Sequence, residues 1–192
     1  MKRTLLGAAL AVTAALGPIA PGQAAPQRLN DSLVAAEGAV RRDDFVSFFD
    51  HYAQSPAVRA AYSAASVSVV TASGTGGQWA EDTQRVRGAQ FRGFPVALLD
   101  RGYVYAPTAF RGGRINQRPD QLHVEFSRVG ANGWSVEWEQ VRYSSSPSEA
   151  HDERGTIVAR YGDSGTLFFQ RVRDGWVLTS SRVFKHGRGE RR

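Results

Sequence analysis

The sequence of 192 residues contains no cysteine. That absence excludes a disulfide framework, thiolate catalysis, zinc–cysteine sites and a lipid anchor carried on a cysteine, so a hydrophobic core must hold the fold by itself. A phosphate-binding glycine loop is also missing, because Gly74-Thr75-Gly76-Gly77 lacks the Lys-Ser/Thr pair such a loop needs. No dinucleotide fingerprint and no metal-ligand spacing occurs, so no cofactor and no metal are expected. Long hydrophobic runs are scarce as well. The one such stretch, residues 5–16, is too short to span a bilayer.

That short run has a different reading. Lys2 and Arg3 precede it, the helix-breaking Pro18 and Pro21 follow it, and Gly22 and Ala24 stand where a signal peptidase needs small side chains. We expect a secretory signal over residues 1–24, cleaved after Ala24, an extracytoplasmic destination (periplasmic or secreted), and no membrane anchor after cleavage. Residues 25–30 then form a leader, 31–184 a single α+β domain and 185–192 a basic tail. The whole chain has 24 basic and 18 acidic residues, and removal of the signal leaves 22 against 18. The last eight residues hold four basic side chains against Glu190 and so carry most of the remaining net positive charge; the body is nearly neutral and no nucleic-acid partner is expected.

Residues 31–40 read as an Ala-rich helix. Asp43 and Asp44 can cap a second one, in which Phe45, Phe48, Phe49 and Tyr52 fall at i, i+3, i+4 and i+7 and line one face. Ser55-Pro56 restarts a helix through Val58, Ala61, Tyr62 and Ala65, and residues 66–71 read as a strand. Five glycines in 73–94 mark a long loop, with Trp79 stranded inside it. Two short strands, 95–99 and 103–106, turn at Asp100-Arg101-Gly102, and 111–120 is a polar connection. The remainder is an antiparallel meander of 122–129, 134–143, 156–161, 166–173 and 176–184, with 144–154 as a solvated loop. Its turns are placed at Ala131-Asn132-Gly133, Asp163-Ser164-Gly165 and Asp174-Gly175. With Gly130 paired to Trp134, Leu122, Val124, Phe126, Trp134, Val136 and Trp138 share the core face. His123, Glu125, Glu137 and Glu139 take the other face.

The resulting architecture is α+β, with N-terminal helices packed on a curved, cone-like antiparallel sheet. The segment Phe45-Val-Ser-Phe48-Phe49-Asp-His-Tyr52-Ala-Gln-Ser55-Pro-Ala-Val58 resembles the paired helices that open exported bacterial domains of the nuclear-transport-factor-2-like (cystatin-like) fold, and the meander fits the same layout. The resemblance implies a pocket between helices and sheet. Such a fold hosts enzymes, binding proteins and scaffolds alike.

Several constellations bear on chemistry. Gly162-Asp163-Ser164-Gly165 is similar to the nucleophile segment of trypsin-like serine proteases, and His51 and Asp100 precede Ser164 in the chain order such proteases use. However, His51 falls in a patterned helix and Thr166 replaces the next glycine, so a hairpin turn is the simpler reading of the segment. His123, Glu125, Glu137 and Glu139 read first as a solvated face balanced by arginines from neighbouring strands, and alternatively as a pocket acid/base cluster or an oxygen-rich cation site. Asp50-His51 and His151-Asp152-Glu153 read as a helix surface and a loop. Between residues 85 and 118 lie seven arginines, Arg85, Arg87, Arg92, Arg101, Arg111, Arg114 and Arg118, against Asp100 alone. Their guanidinium forks suit an anionic ligand, unless Asp120, Glu125, Glu137, Glu139, Glu149, Asp152 and Glu153 neutralise them within the chain.

The functional expectation is an exported, non-catalytic binding or interaction module for an anionic or apolar ligand or protein partner. Its expected contact residues are Arg87, Arg92, Arg101, Trp79 and Tyr52. The alternatives are a hydrolase using Ser164, His51 and Asp100, an acid/base enzyme using His123 and Glu125, and an envelope structural or assembly factor.

Overall fold

The computed structural model describes residues 24–75, 78–100, 102–111, 113–144 and 155–186. Residues 1–23 of the expected signal 1–24, Arg101, the loop segment with His151, Asp152 and Glu153, and the tail from 187 lie outside the described residues.

Three helices open the domain. α1 spans Ala24–Arg41, so the stretch expected as a leader is helical backbone. α2 spans Phe45–Gln54, and its N-cap is Asp44, whose carboxylate accepts bonds from the Ser47 N–H (3.1 Å) and Oγ (2.6 Å). Those two bonds hold the Asp44 carboxyl below its usual pKa. Asp43 adopts φ +56° and accepts bonds from Arg128 Nη2 (3.1 Å) and Arg171 Nη1 (2.9 Å), tying the α1–α2 corner to the sheet. α3 is shorter than the sequence suggests, Pro56–Ala61. Backbone pairing with a later strand takes over at once, since Leu178 N–H donates to Tyr62 O at 2.9 Å and Ser63 pairs with Leu178.

The strands are β1 (Ser63–Thr75), β2 (Gln78–Arg87), β3 (Val96–Leu99), β4 (Gly102–Tyr105), β5 (Phe110–Arg111), β6 (Arg114–Ile115), β7 (Gln121–Val129), β8 (Gly133–Tyr143), β9 (Ile157–Val172) and β10 (Gly175–His186). A four-residue helix, α4 (Ala106–Ala109), connects β4 to β5. Eight of these strands form one curled sheet in the order β2-β1-β10-β9-β8-β7-β4-β3, while β5 and β6 pair apart from it. Neighbours in the sheet are antiparallel except β1 and β10, which run parallel.

Four sequence expectations need correction. The glycine-rich segment after residue 73 is a hairpin, β1 to β2, in which Gly74 pairs with Trp79; β2 is solvated along almost its whole length and so shows no alternation of polarity. Gly162-Asp163-Ser164-Gly165 is no turn but the middle of β9, where Gly162 at φ +64° absorbs an irregularity against Gln140 of β8. A side chain at 162 would run into the Gln140 amide, so glycine is required there twice over. The β7–β8 register pairs Val129 with Gly133 and Phe126 with Val136, two residues from the expected alignment. Because strand side chains alternate with period two, that shift leaves every residue on its expected face. In the last hairpin Gly175 pairs with Val172, leaving Arg173-Asp174 as the two-residue loop.

The helices cover one face of the sheet. Phe45, Phe48, Phe49 and Tyr52 of α2 are all buried, packed with Val58, Val67, Leu122, Val136, Trp138, Leu167, Phe169, Trp176 and Leu178. The interior is a lattice of rings: Phe45 is stacked on Trp134 at 4.7 Å and meets Phe169 and Trp176 edge-on at 5.3 Å each. Tyr52 meets Phe94 and Phe169 edge-on at 5.1 Å each, and its hydroxyl is 2.7 Å from Ser63 Oγ. The space between helices and sheet is filled by these side chains.

Candidate functional site

Alternation along the strands sends the intervening residues to the face turned away from the helices. The pairings then set them in transverse rows: His123, Glu139, Ser164 and Phe184 in one, and Glu125, Glu137, Thr166 and Arg182 in the next. The parallel β1–β10 pairing extends the rows to β2, carrying Phe184 past Ala72 to Glu81, while His186 pairs with Gly74 and so faces Trp79. Residues far apart in sequence thus line a groove of about 570 Å³, within the range of small-ligand sites.

One wall is aromatic. Trp79, 37% exposed, meets Phe184 edge-on at 5.7 Å and His186 at 5.0 Å. Arg182 lies over the Phe184 ring at 5.7 Å and grips both carboxylate oxygens of Glu81 at 2.8 and 3.1 Å, which fixes the wall from behind. The opposite side is polar. His123 Nε2 is 2.8 Å from Glu125 Oε1, and Arg160 Nε donates to Glu139 Oε1 at 2.7 Å, a bond that raises the guanidinium pKa further. Ser164 and Thr166 hydroxyls lie between the two sides.

Beside the groove, a second polar network closes the end of the sheet. Tyr105 donates to Asp163 Oδ2 at 2.6 Å and Tyr161 to Asp120 Oδ1 at 3.1 Å, while Gln140 Nε2 donates to Asp120 Oδ2 at 3.3 Å. Burial, then the hydrogen bond to Asp163 and its charge, push the Tyr105 phenol far up. Burial and the Asp120 charge push Tyr161 up to about 12.

The structure therefore unites part of what the sequence singled out. His123, Glu125, Glu137, Glu139 and Ser164 share the groove with Trp79. Among the described residues, however, no three His, Cys, Asp or Glu side chains are grouped so as to hold a metal ion. Arg87 lies on the same face of β2 as Trp79 but eight residues along, about 26 Å at ~3.3 Å per residue. Arg92 is exposed in the coil after β2, and Tyr52 belongs to the core. Among the described residues, neither Arg85, Arg87, Arg92, Arg114 nor Arg118 takes part in an ion pair; of the downstream acids, Glu139 pairs with Arg160 and Glu125 with the His123 imidazole. The expected triad is not assembled as written. The imidazole near Ser164 Oγ, at 3.4 Å, is that of His186, while His51 lies on α2 and Asp100 at the exposed β3–β4 turn. Phe184, His186, Arg160 and Thr166 escaped the sequence reading. Alternation on β10 places Arg182, Phe184 and His186 together, but only the parallel β1–β10 pairing delivers Trp79 to them.

No family model matches the chain, and neither does any curated protein. Similar solved structures include a DUF4783 family protein from Bacteroides ovatus, 9% identical over 68% of this chain and 84% of that one, with a TM-score of 0.33. An NTF2-like family protein from Streptomyces avermitilis is 20% identical over 83% of this chain and 95% of that one, with a TM-score of 0.29. An NTF2-like protein of unknown function from Shewanella oneidensis is 12% identical over 84% and 99%, also at 0.29. These neighbours are of the kind the opening helices resemble. Overlaps this loose carry no argument about the site.

Proposed function

We propose that this chain is an extracytoplasmic binding module that engages its ligand in the groove on the helix-free face of the sheet. The observation that carries this reading is the division of the molecule into a ring-filled interior and an open groove with an aromatic wall facing carboxylates. Trp79 and Phe184 offer an apolar surface on which a ligand can stack. As carboxylates, Glu125, Glu137 and Glu139 accept hydrogen bonds and donate none, so the groove suits a ligand rich in donors, such as a polyhydroxyl or amine compound with one apolar face. Arg85 and Arg87, farther along the same face of β2, give an extended ligand a place for an anionic end.

The test is a thermal-shift screen of oligosaccharides, polyamines and short peptides on the wild type, Trp79→Ala and the Glu137→Gln/Glu139→Gln double variant. Compounds that stabilise the wild type should lose most of their effect on both variants. Compounds that stabilise Trp79→Ala as well as the wild type would place binding elsewhere.

A further inference from the structure

The two-stranded ribbon outside the main sheet carries a feature the groove does not use. Phe110 of β5 and Ile115 of β6 are direct register partners, 54% and 64% exposed. Single exposed apolar side chains are ordinary, but two bulky ones on the same rung form a continuous knob. The ribbon's base is tied down. Asn116 N–H donates to Ala109 O at 2.8 Å, Asn116 Nδ2 to Thr108 O at 2.9 Å, and Asp120 N–H to Thr108 Oγ1 at 3.1 Å. A knob held in place in this way needs little further ordering on contact.

Charge supplies the second observation. From residue 101 to 119 the sequence has four arginines and no acid, and among the described residues neither Arg114 nor Arg118 pairs with a carboxylate. Two apolar side chains flanked by unneutralised arginines match the boundary of an anionic bilayer, where acyl chains lie beneath a layer of phosphate. An acidic protein surface would satisfy the arginines while leaving the knob without a matching apolar layer.

We propose that the β5–β6 ribbon is a contact finger for the surface of an anionic lipid bilayer, binding reversibly through Phe110, Ile115, Arg114 and Arg118. The experiment is co-sedimentation of the mature chain with vesicles of phosphatidylcholine alone or mixed with phosphatidylglycerol. The wild type should partition to the mixed vesicles and not to phosphatidylcholine alone, with binding falling as salt rises. Phe110→Ser/Ile115→Ser and Arg114→Gln/Arg118→Gln should each weaken partitioning about tenfold. Their urea midpoints should stay at the wild-type value, because all four side chains are solvated, and Trp79→Ala should bind vesicles normally because the groove is not involved. A wild type that stays in the supernatant overturns the proposal. So does a Phe110→Ser/Ile115→Ser variant that partitions like the wild type, which would assign the attraction to basic residues elsewhere.

Discussion

Phe45 of α2 lies flat on Trp134 of β8, with ring centroids 4.7 Å apart and planes within 4° of parallel. The contact joins the first strongly patterned helix to the centre of a sheet that forms almost ninety residues later. Phe45 also meets Phe126 edge-on at 6.1 Å, in addition to its contacts with Phe169 and Trp176. Removing its ring should leave a cavity that rigid strands cannot close, so Phe45→Ala should cost about 3–5 kcal/mol in urea unfolding. Phe45→Leu should cost clearly less. Equal stability of wild type and Phe45→Ala would mean that the helix is not what covers the sheet.

The phenols beside the groove give a pH signature. An unperturbed tyrosine titrates near ~10, whereas Tyr161 is pushed up to about 12 by burial and by Asp120, and Tyr105 moves in the same direction through burial and Asp163. Both folded values lie above the unfolded one, so the fold favours the protonated phenol. The stability this confers is fully present below about pH 10 and drains away as pH rises from there through the folded values. Phenolate absorbance should show a fraction of the tyrosines ionising only well above pH 10, and Asp120→Asn should bring Tyr161 down. Titration of every tyrosine in one step near pH 10 in the folded protein would contradict the network.

Ser164 tests the hydrolase alternative. Its Oγ is 3.4 Å from His186 Nε2, but the adjacent Asp163 N–H already donates to the Gln140 side chain and is unavailable to an oxyanion. The expected result with a fluorophosphonate probe is no labelling. Labelling that disappears in Ser164→Ala would make the groove a catalytic site.

Much of this organisation is legible in the residues, and what is not has a common cause. The i, i+3, i+4, i+7 aromatics of α2 and the alternation in β7 and β8 are local patterns, and all four rings and both strand faces lie where those patterns place them. The polar face of His123, Glu125, Glu137 and Glu139 could be read because a two-residue register change preserves faces. The β1–β2 hairpin could not, since β2 buries neither face and its glycines resemble loop punctuation. Ser164 was misplaced for a similar reason. Gly-Asp-Ser-Gly has turn chemistry, yet pairing with β8 and β10 on either side keeps it in one strand. The aromatic wall depends on parallel pairing between strands more than a hundred residues apart, and no local pattern encodes that.

The four tryptophans allow the central claim to be measured directly. Trp176 is buried in the core and Trp134 is stacked on Phe45, whereas Trp79 stands in the groove wall and the core residue Trp138 also borders the groove. In an indole N–H spectrum recorded during a fragment screen, ligands that bind should move the Trp79 resonance and leave those of Trp134 and Trp176 in place. Fragments that shift Trp134 and Trp176 while Trp79 stays still would put the binding site between helices and sheet and overturn the account.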